Sequence, residues 1–172
     1  PRARADDRRE PRAGDPVSAR LPVFVYGTLR AGAVNAGLLD THVVRRVPAT
    51  LPGHRLHVLE HPCVVADGRD GPGAHDAPHL HDVDDTLEAE GARGVPGVRG
   101  ELVVVHHASY EAAIDRLDWL EGFDPADVAA SLYERVAATA VTDDGRIDCW
   151  VYVAGAHLRA RLDATNRIAS GD

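Results

Sequence analysis

Lysine and methionine are absent from this chain of 172 residues, and cysteine and aromatic residues are scarce. All 19 basic residues are therefore arginine, and with 27 acidic residues the net charge is −8. Because an acidic chain repels a phosphate backbone, we expect no nucleic-acid partner. Arginine without lysine, beside many alanine and valine residues, is typical of a GC-rich genome and does not indicate an arginine-dependent function.

Long hydrophobic runs are also missing. No stretch of about 18 apolar residues occurs, so we expect no transmembrane helix, and residues 1–20 contain no apolar segment of the kind found in a secretory signal. The two cysteines, Cys63 and Cys149, are too few for a disulfide framework. We interpret them as reduced thiols of a cytoplasmic protein. The oligomeric state stays open, a homodimer included.

Several catalytic motifs are missing as well. None of the four serines lies in a G-x-S-x-G segment, and neither cysteine lies beside a glycine at the start of a helix. The chain has no phosphate-binding P-loop and no dinucleotide-binding G-x-G-x-x-G motif. Covalent acyl-enzyme, nucleotide and dinucleotide chemistry therefore lack support, and we expect no cofactor.

A cluster of histidines raises the question of a metal site. His75 and His79 have the i, i+4 spacing of a helix, but Pro78 excludes a helix there. His81 and Asp82 follow in the same glycine- and proline-rich segment. A stable metal site needs ligands that are held in place by further hydrogen bonds. We therefore interpret these side chains as solvated and expect no bound metal.

The composition divides the chain into a leader and one domain. Residues 1–20 hold six arginines, four acidic residues and few large apolar ones, which predicts a disordered leader. A single domain follows over residues 21–172. Within it, residues 67–97 hold nine glycines or prolines and eight acidic residues. This composition is typical of a long surface insertion.

Short apolar segments bounded by turn signals predict about seven strands. These strands cover residues 23–25, 43–51, 54–59, 62–66, 98–105, about 132–141 and about 146–153. Helices are predicted over about 30–39, 109–121 and 156–168. Strands that cluster without regular β-α alternation favour an α+β fold, a small twisted β-barrel of six or seven strands flanked by two or three helices.

The predicted helix from residue 109 to 121 carries one acidic side chain that points inward. Glu111, Asp115 and Asp118 share a face that we expect to meet solvent, whereas Glu121 continues the apolar face. Burial and the negative end of the helix dipole should both raise the pKa of Glu121. A carboxylate in so unfavourable a place is a candidate acid–base catalyst. The alternative is that Glu121 lies at the rim of the helix face and reaches water. The pattern of this helix, taken by itself, favours that alternative.

The segment Tyr26-Gly27-Thr28-Leu29-Arg30 joins a buried strand to the next predicted helix. Because the first N–H groups of a helix lack internal partners, those around Gly27, Thr28 and Leu29 are a candidate anion site. A plain strand-to-helix cap is the alternative, and on these residues alone it is favoured.

Together these segments resemble the γ-glutamylcyclotransferase superfamily, and within it the avirulence-induced-gene-like branch. Residues 23–32 are similar to the opening Y-G-[ST]-L-[RK]-x-G segment of the family, 117–123 to its D-x-L-E-G-[YF] segment and 132–136 to its Y-x-R strand. Further blocks are similar at residues 51–56, 98–102 and 168–172. The resemblance covers roughly residues 21–155 and the last few residues, and it implies a small β-barrel flanked by helices.

The resemblance also implies an activity. Such enzymes cleave γ-glutamyl amides without water: the α-amine of the substrate attacks its own γ-carbonyl and releases 5-oxoproline and a free amine. Glu121 matches the catalytic glutamate of the family, a general acid and base. Two alternatives stay open, a non-catalytic small-molecule binding protein on the same fold and a γ-glutamyl hydrolase in which Glu121 activates water.

The resemblance assigns further residues to the substrate pocket. Tyr26 and Tyr133 match positions that line it, and Tyr152 on the neighbouring predicted strand is a further candidate. The N–H groups of residues 27–29 would bind the substrate carboxylate or the developing oxyanion. The insertion at residues 67–97 departs from the family pattern, and we expect it near the pocket mouth, where it affects which amine is accepted. The leaving amine itself stays open among amino acids, other amines and secondary metabolites.

Overall fold

The computed structural model describes residues 20–68 and 95–168. The predicted leader up to residue 19, the histidine cluster, most of the predicted insertion and residues 169–172 lie outside the described residues. The described elements, in chain order, are β1 (Val23–Val25), β2 (Val43–Leu51), β3 (His54–Val58), β4 (Pro62–Ala66), β5 (Val98–Val105), α1 (Tyr110–Glu121), β6 (Tyr133–Thr142), β7 (Gly145–Ala154), α2 (Ala156–Arg159) and β8 (Arg167–Ile168).

Five strands close into a barrel in the order β1-β5-β2-β6-β7. Most neighbours pair antiparallel, and β7 returns to β1 in parallel, with Trp150 opposite Val23. The Asp-Gly signal correctly predicts the β6–β7 hairpin, in which Thr142 pairs with Gly145. The other three described strands form a sheet in the order β4-β3-β8. The predicted α+β barrel is therefore confirmed, and the extra strand is the two-residue β8.

Strand β7 connects the barrel to helix α1. Its side chains alternate between two faces, so Trp150 and Tyr152 join one hydrophobic cluster while Val151 and Val153 join another. The first cluster includes Leu117 of α1, which is 1% exposed. The helix therefore packs on the face of β7 that carries Tyr152.

Helix α1 ends where the sequence predicts. Gly122 adopts the left-handed conformation, with φ of 61°, which glycine reaches without steric cost. The N–H of Phe123 donates to the carbonyl of Asp118 at 2.8 Å and completes the helix end. At the other end, the sequence places Ser109 in the capping position, but its side chain makes no capping hydrogen bond. None of the described helices is long and apolar enough to cross a membrane.

The prediction of a helix over residues 30–39 is wrong. The chain there forms an irregular loop with two single 3-10 turns, Gly27–Leu29 and Ala36–Leu38. Gly32 between them has φ of 77°, which a right-handed helix cannot contain. The side chain of Thr28 does not cap the first turn.

The helix predicted over residues 156–168 is also mostly wrong. Only the four residues of α2 are helical, and the chain then pairs with strand β3 through β8, where Ile168 lies opposite Leu56. This pairing joins residues more than 100 positions apart, so no local pattern could indicate it.

Both ends of the predicted insertion reach the turn between β2 and β3. The N–H of Asp67 donates to the carbonyl of Gly53 at 2.8 Å. Gly97 lies so close to Leu51 that a Cβ there would stand 2.3 Å from the Leu51 carbonyl oxygen. Pro62 and Ala66 are the first and last residues of β4. At the usual rise per strand residue, the start of the insertion after Ala66 therefore lies about 13 Å from Pro62.

Candidate active site

A cavity of about 220 Å³ opens between the loop after β1, the end of α1 and strands β6 and β7. Its lining combines one carboxylate, three tyrosines, a few other polar groups and apolar side chains. The lining residues are Phe24, Val25, Tyr26, Thr28, Leu29, Asn35, His61, Pro62, Leu120, Glu121, Leu132, Tyr133 and Tyr152. The cavity thus brings together Glu121, the three predicted tyrosines and two of the three predicted loop residues.

Glu121 is the last residue of α1 and is partly buried. Burial raises the pKa of its carboxyl to about 7, the direction that its place on the helix predicts. No arginine is among the described residues that line the cavity, so no guanidinium there offsets the cost of burying the charge. A carboxyl with this pKa exchanges protons near neutral pH, as a general acid–base catalyst must.

Each of the three tyrosines in the cavity donates a hydrogen bond that fixes its ring. The Tyr26 hydroxyl donates to the carbonyl of Tyr152 at 2.7 Å, and the Tyr133 hydroxyl donates to the carbonyl of Pro62 at 3.1 Å. The Tyr152 hydroxyl donates to Oδ1 of Asp118 at 2.6 Å. The cavity wall is therefore held from β1, β6 and β7 at once.

The same tyrosines stay neutral. Burial raises the pKa of Tyr26 well above its ordinary value, and the charge of Glu121 adds to the effect. Burial and Glu121 act on the pKa of Tyr133 in the same way, and burial also raises the pKa of Tyr152. The phenols around Glu121 are thus polar but uncharged.

Asp118 does not face solvent, so that prediction is wrong. Its side chain is 15% exposed, and its Oδ2 accepts a hydrogen bond from Arg135 at 3.0 Å. The guanidinium of Arg135 lies 5.4 Å from the ring centre of Phe123. Asp118 precedes Glu121 by three residues, and this i, i+3 spacing puts both on adjoining parts of one helix surface. The spacing was a signal in the sequence that could have identified Asp118.

Gly27 plays a different part from the one expected. Its φ of 58° is left-handed, and a Cβ there would stand 2.8 Å from Cγ of Pro62. Gly27 does not itself line the cavity, whereas Thr28 and Leu29 do. The turn Gly27–Leu29 is not the start of a longer helix, so a helix dipole does not support the predicted anion site. The role of these N–H groups in binding remains a prediction.

Three cavity residues have weak or no signals in the sequence. Asn35 donates from Nδ2 to Oγ1 of Thr28 at 3.1 Å and ties the two ends of the loop together. His61, in the turn before β4, and Pro62, the first residue of β4, also line the cavity. His61 and Leu132 are exposed and mark the mouth. Pro62 lies against Gly27, a contact between distant parts of the chain that no local pattern indicates.

Metal chemistry has no support in the described residues. No group of three histidine, cysteine, aspartate or glutamate side chains within residues 20–68 and 95–168 is arranged to hold a metal ion. Cys63 and Cys149 are buried free thiols, and burial raises their pKa values to about 11 and about 12. Neither thiol is therefore a thiolate nucleophile at neutral pH.

Comparisons with known proteins bear on the family and the fold. Residues 23–172 match the sequence profile of the family described as gamma-glutamyl cyclotransferase, AIG2-like. No curated protein matches the chain significantly. The fold is similar to the crystal structure of YkqA from Bacillus subtilis, with a TM-score of 0.53 and 20% identity over 88% of this chain and 39% of YkqA. It is also similar to the solution structure of At5g39720.1 from Arabidopsis thaliana, with a TM-score of 0.50 and 23% identity over 87% of this chain and 76% of that one.

These structural likenesses support the fold alone, since both identities are low, and the chain spans about two fifths of the length of YkqA. The family match is broader, because it covers every residue that lines the cavity. The chain belongs to the gamma-glutamyl cyclotransferase, AIG2-like family.

Proposed function

We propose that this chain is a cytoplasmic γ-glutamylcyclotransferase that converts a γ-glutamyl amide into 5-oxoproline and a free amine. One observation carries the proposal: the Glu121 carboxyl is buried, with a pKa raised to about 7, in a cavity lined by neutral phenols. Family membership supplies the substrate class, a small γ-glutamyl compound. No cofactor takes part in the reaction.

The reaction is an intramolecular ring closure. The substrate α-nitrogen attacks the γ-carbonyl carbon, a new carbon–nitrogen bond forms, and the bond to the leaving amine breaks. The α-ammonium group loses two protons, and the leaving nitrogen gains two, so the net charge is unchanged and no water is consumed. Because both reactants belong to one molecule, holding a bent conformer supplies much of the rate enhancement.

Glu121 carries the protons in this scheme. As a carboxylate it accepts a proton from the α-ammonium group, and as a carboxylic acid it then donates that proton to the leaving nitrogen. The second proton follows the same route after the new carbon–nitrogen bond has formed. A carboxylate with the ordinary pKa near 4.5 is a weak base toward an ammonium group, and a pKa of about 7 makes it a stronger one. Burial therefore makes one residue competent for both steps.

The cavity lining holds two chemically different groups of residues. Thr28, Leu29 and Asn35 come from the loop after β1, and we assign the glutamyl group to them. His61 and Leu132 are the exposed residues of the lining, and we assign the leaving amine to them. The cavity volume of about 220 Å³ suits a small amino-acid group. It leaves the amine partly in solvent.

Product analysis tests the proposal. The purified chain is incubated with γ-glutamyl amino acids, γ-glutamyl alkylamines and γ-glutamyl aromatic amines, and products are separated by mass spectrometry. Release of 5-oxoproline in equal amount to the amine supports the proposal. Release of free glutamate would indicate the hydrolase instead. Binding of the substrates without either product would indicate the non-catalytic binding protein.

A further inference from the structure

The loop after β1 supplies four cavity residues, but it has little regular structure of its own. We call residues 26–39 the pocket loop. Its two 3-10 turns contain three residues each, and its internal ties include the Asn35 N–H, which donates to the carbonyl of Thr28 at 2.9 Å. Such short turns do not fix a loop by themselves. The contacts that the loop makes with the barrel must therefore hold it.

Arg46 on strand β2 makes several of those contacts. Its Nη1 donates to the carbonyl of Leu29 at 3.0 Å, and its Nη2 donates to the carbonyl of Ala36 at 3.4 Å. The side chain is 16% exposed. One guanidinium thus bonds to the pocket loop at both of its turns, a geometry that the planar, multiply donating arginine side chain allows.

Glu101 on strand β5 completes the arrangement. Its Oε2 lies 3.2 Å from Nη1 of Arg46 and accepts the N–H of Ala31 at 3.0 Å. Its side chain is 18% exposed, so the pair is shielded from solvent for the most part. Hydrogen bonds with a charged partner are stronger than those between neutral groups. The ion pair therefore bonds to the loop backbone at residues 29, 31 and 36, on both sides of the stretch that leads to Asn35.

We infer that Arg46 and Glu101 are positioning residues that hold the pocket loop in its substrate-binding form. The inference rests on the proposed function, because it assigns the loop to the glutamyl group. Neither side chain is among the described residues that line the cavity, so both act through Thr28, Leu29 and Asn35. Helix α1 carries Glu121 on the other side of the cavity and makes none of these hydrogen bonds.

This arrangement predicts a specific kinetic signature. Loosening the loop should weaken substrate binding while leaving proton transfer by Glu121 nearly intact. In Arg46→Met we expect KM to rise by about tenfold or more and kcat to change by less than about threefold, since small misplacements of a binding group have effects of this order. The apparent pKa of kcat, which reports Glu121, should stay unchanged.

Two further variants and one control sharpen the test. Glu101→Gln keeps an oxygen that can accept the Ala31 N–H but removes the charge, so a smaller rise in KM is expected. Arg46→Lys keeps the charge without the planar fork and should restore binding only in part. The control is Arg159→Met, because Arg159 also bonds to a carbonyl, that of Ala154, and to a carboxylate, that of Glu134, and none of the three is among the residues that line the cavity. Its KM should stay within about twofold of the wild-type value.

Amide hydrogen exchange separates this inference from the proposed function. In Arg46→Met and Glu101→Gln, peptides covering residues 26–39 should exchange markedly faster, with no change around α1, and the Arg159→Met control should match the wild type. If the wild type releases no 5-oxoproline, the proposed function fails, but the exchange data still decide whether the pair orders the loop. Unchanged exchange or unchanged KM in folded Arg46→Met and Glu101→Gln would overturn the inference. So would a change in α1 of equal size.

Discussion

The two sides of the cavity are built in different ways. On one side, Glu121 ends a regular helix that packs on β7 through Leu117 and closes with left-handed Gly122. On the other, the pocket loop has only two short turns; its backbone accepts hydrogen bonds from Arg46 and donates one to Glu101. A proton-transfer group needs a burial that sets its pKa, and the close packing of a helix provides that burial. A binding loop needs only a fixed backbone, which a few charged hydrogen bonds provide.

Glu121→Gln tests the helix side and has the largest expected effect. The variant keeps the shape of the side chain but cannot exchange a proton, so kcat should fall by roughly 10²–10⁴-fold. Steady-state release of 5-oxoproline measures it. Asp115→Asn is the matched control, because Asp115 is an exposed carboxylate on the same helix and its loss should change little. Near-wild-type turnover in folded Glu121→Gln would contradict the assignment.

Substitution of Gly27 tests the loop side. In Gly27→Ala, the left-handed conformation costs about 1–2 kcal/mol. The Cβ placed 2.8 Å from Pro62 adds about 1–3 kcal/mol of overpacking. Gly32→Ala is the control, since Gly32 also has positive φ but no atom lies within 4 Å of its Cβ position. Denaturant unfolding measures both variants, and Gly27→Val should also lose affinity for 5-oxoproline. Equal destabilisation of the two alanine variants would show that Pro62 does not crowd Gly27.

The pH dependence of stability tests the burial of Glu121 without any substrate. The pKa in the folded state, about 7, exceeds the ordinary value of 4.5. The stability contributed by this carboxyl is therefore present below pH of about 4.5 and is lost as the pH rises through about 7. Between pH 5 and pH 8, the free energy of unfolding of the wild type should fall by about 2–3 kcal/mol relative to Glu121→Gln. A constant difference between the two proteins would show that the carboxyl is not buried.

The smallest effect is expected from shortening the predicted insertion. Residues 67 and 97 both flank the β2–β3 turn, so a short Gly/Ser turn can replace residues 69–93 while keeping the buried Val95. Loop length has only a weak effect on folding free energy, and the melting temperature should stay nearly unchanged. We propose that the ranking of leaving amines changes instead, measured on the same substrate panel. Unfolding of the shortened chain would show that the segment is structural.

Most regular elements of this protein follow from local sequence. Alternating or short apolar runs predict the barrel strands, and the 3.6-residue period of α1 places Glu121 on the inward side. The raised pKa follows from that placement, because burial of a carboxyl acts in the same direction in any fold. Gly122 marks the helix end for an equally local reason, because glycine adopts the left-handed conformation without steric cost. The tyrosine positions follow from the family resemblance and meet in the cavity as expected.

The remaining features depend on contacts between distant residues. The pocket loop looks helical by itself, but Arg46 and Glu101, from two other strands, bond to its backbone in an irregular path. Asp118 looks solvent-exposed on a helical wheel. In the fold, Arg135 and Tyr152 of the β6–β7 hairpin both donate hydrogen bonds to its carboxylate and shield it from solvent. Strand β8 forms because its backbone pairs with the edge of strand β3. The sequence by itself determined most of the strands, helix α1 and the inward place of Glu121, because those properties follow from side chains a few residues apart. Only the tertiary structure decided the shape of the pocket loop. Its backbone groups lack enough partners within the loop, so the chain follows the path on which distant side chains provide hydrogen-bond partners for them.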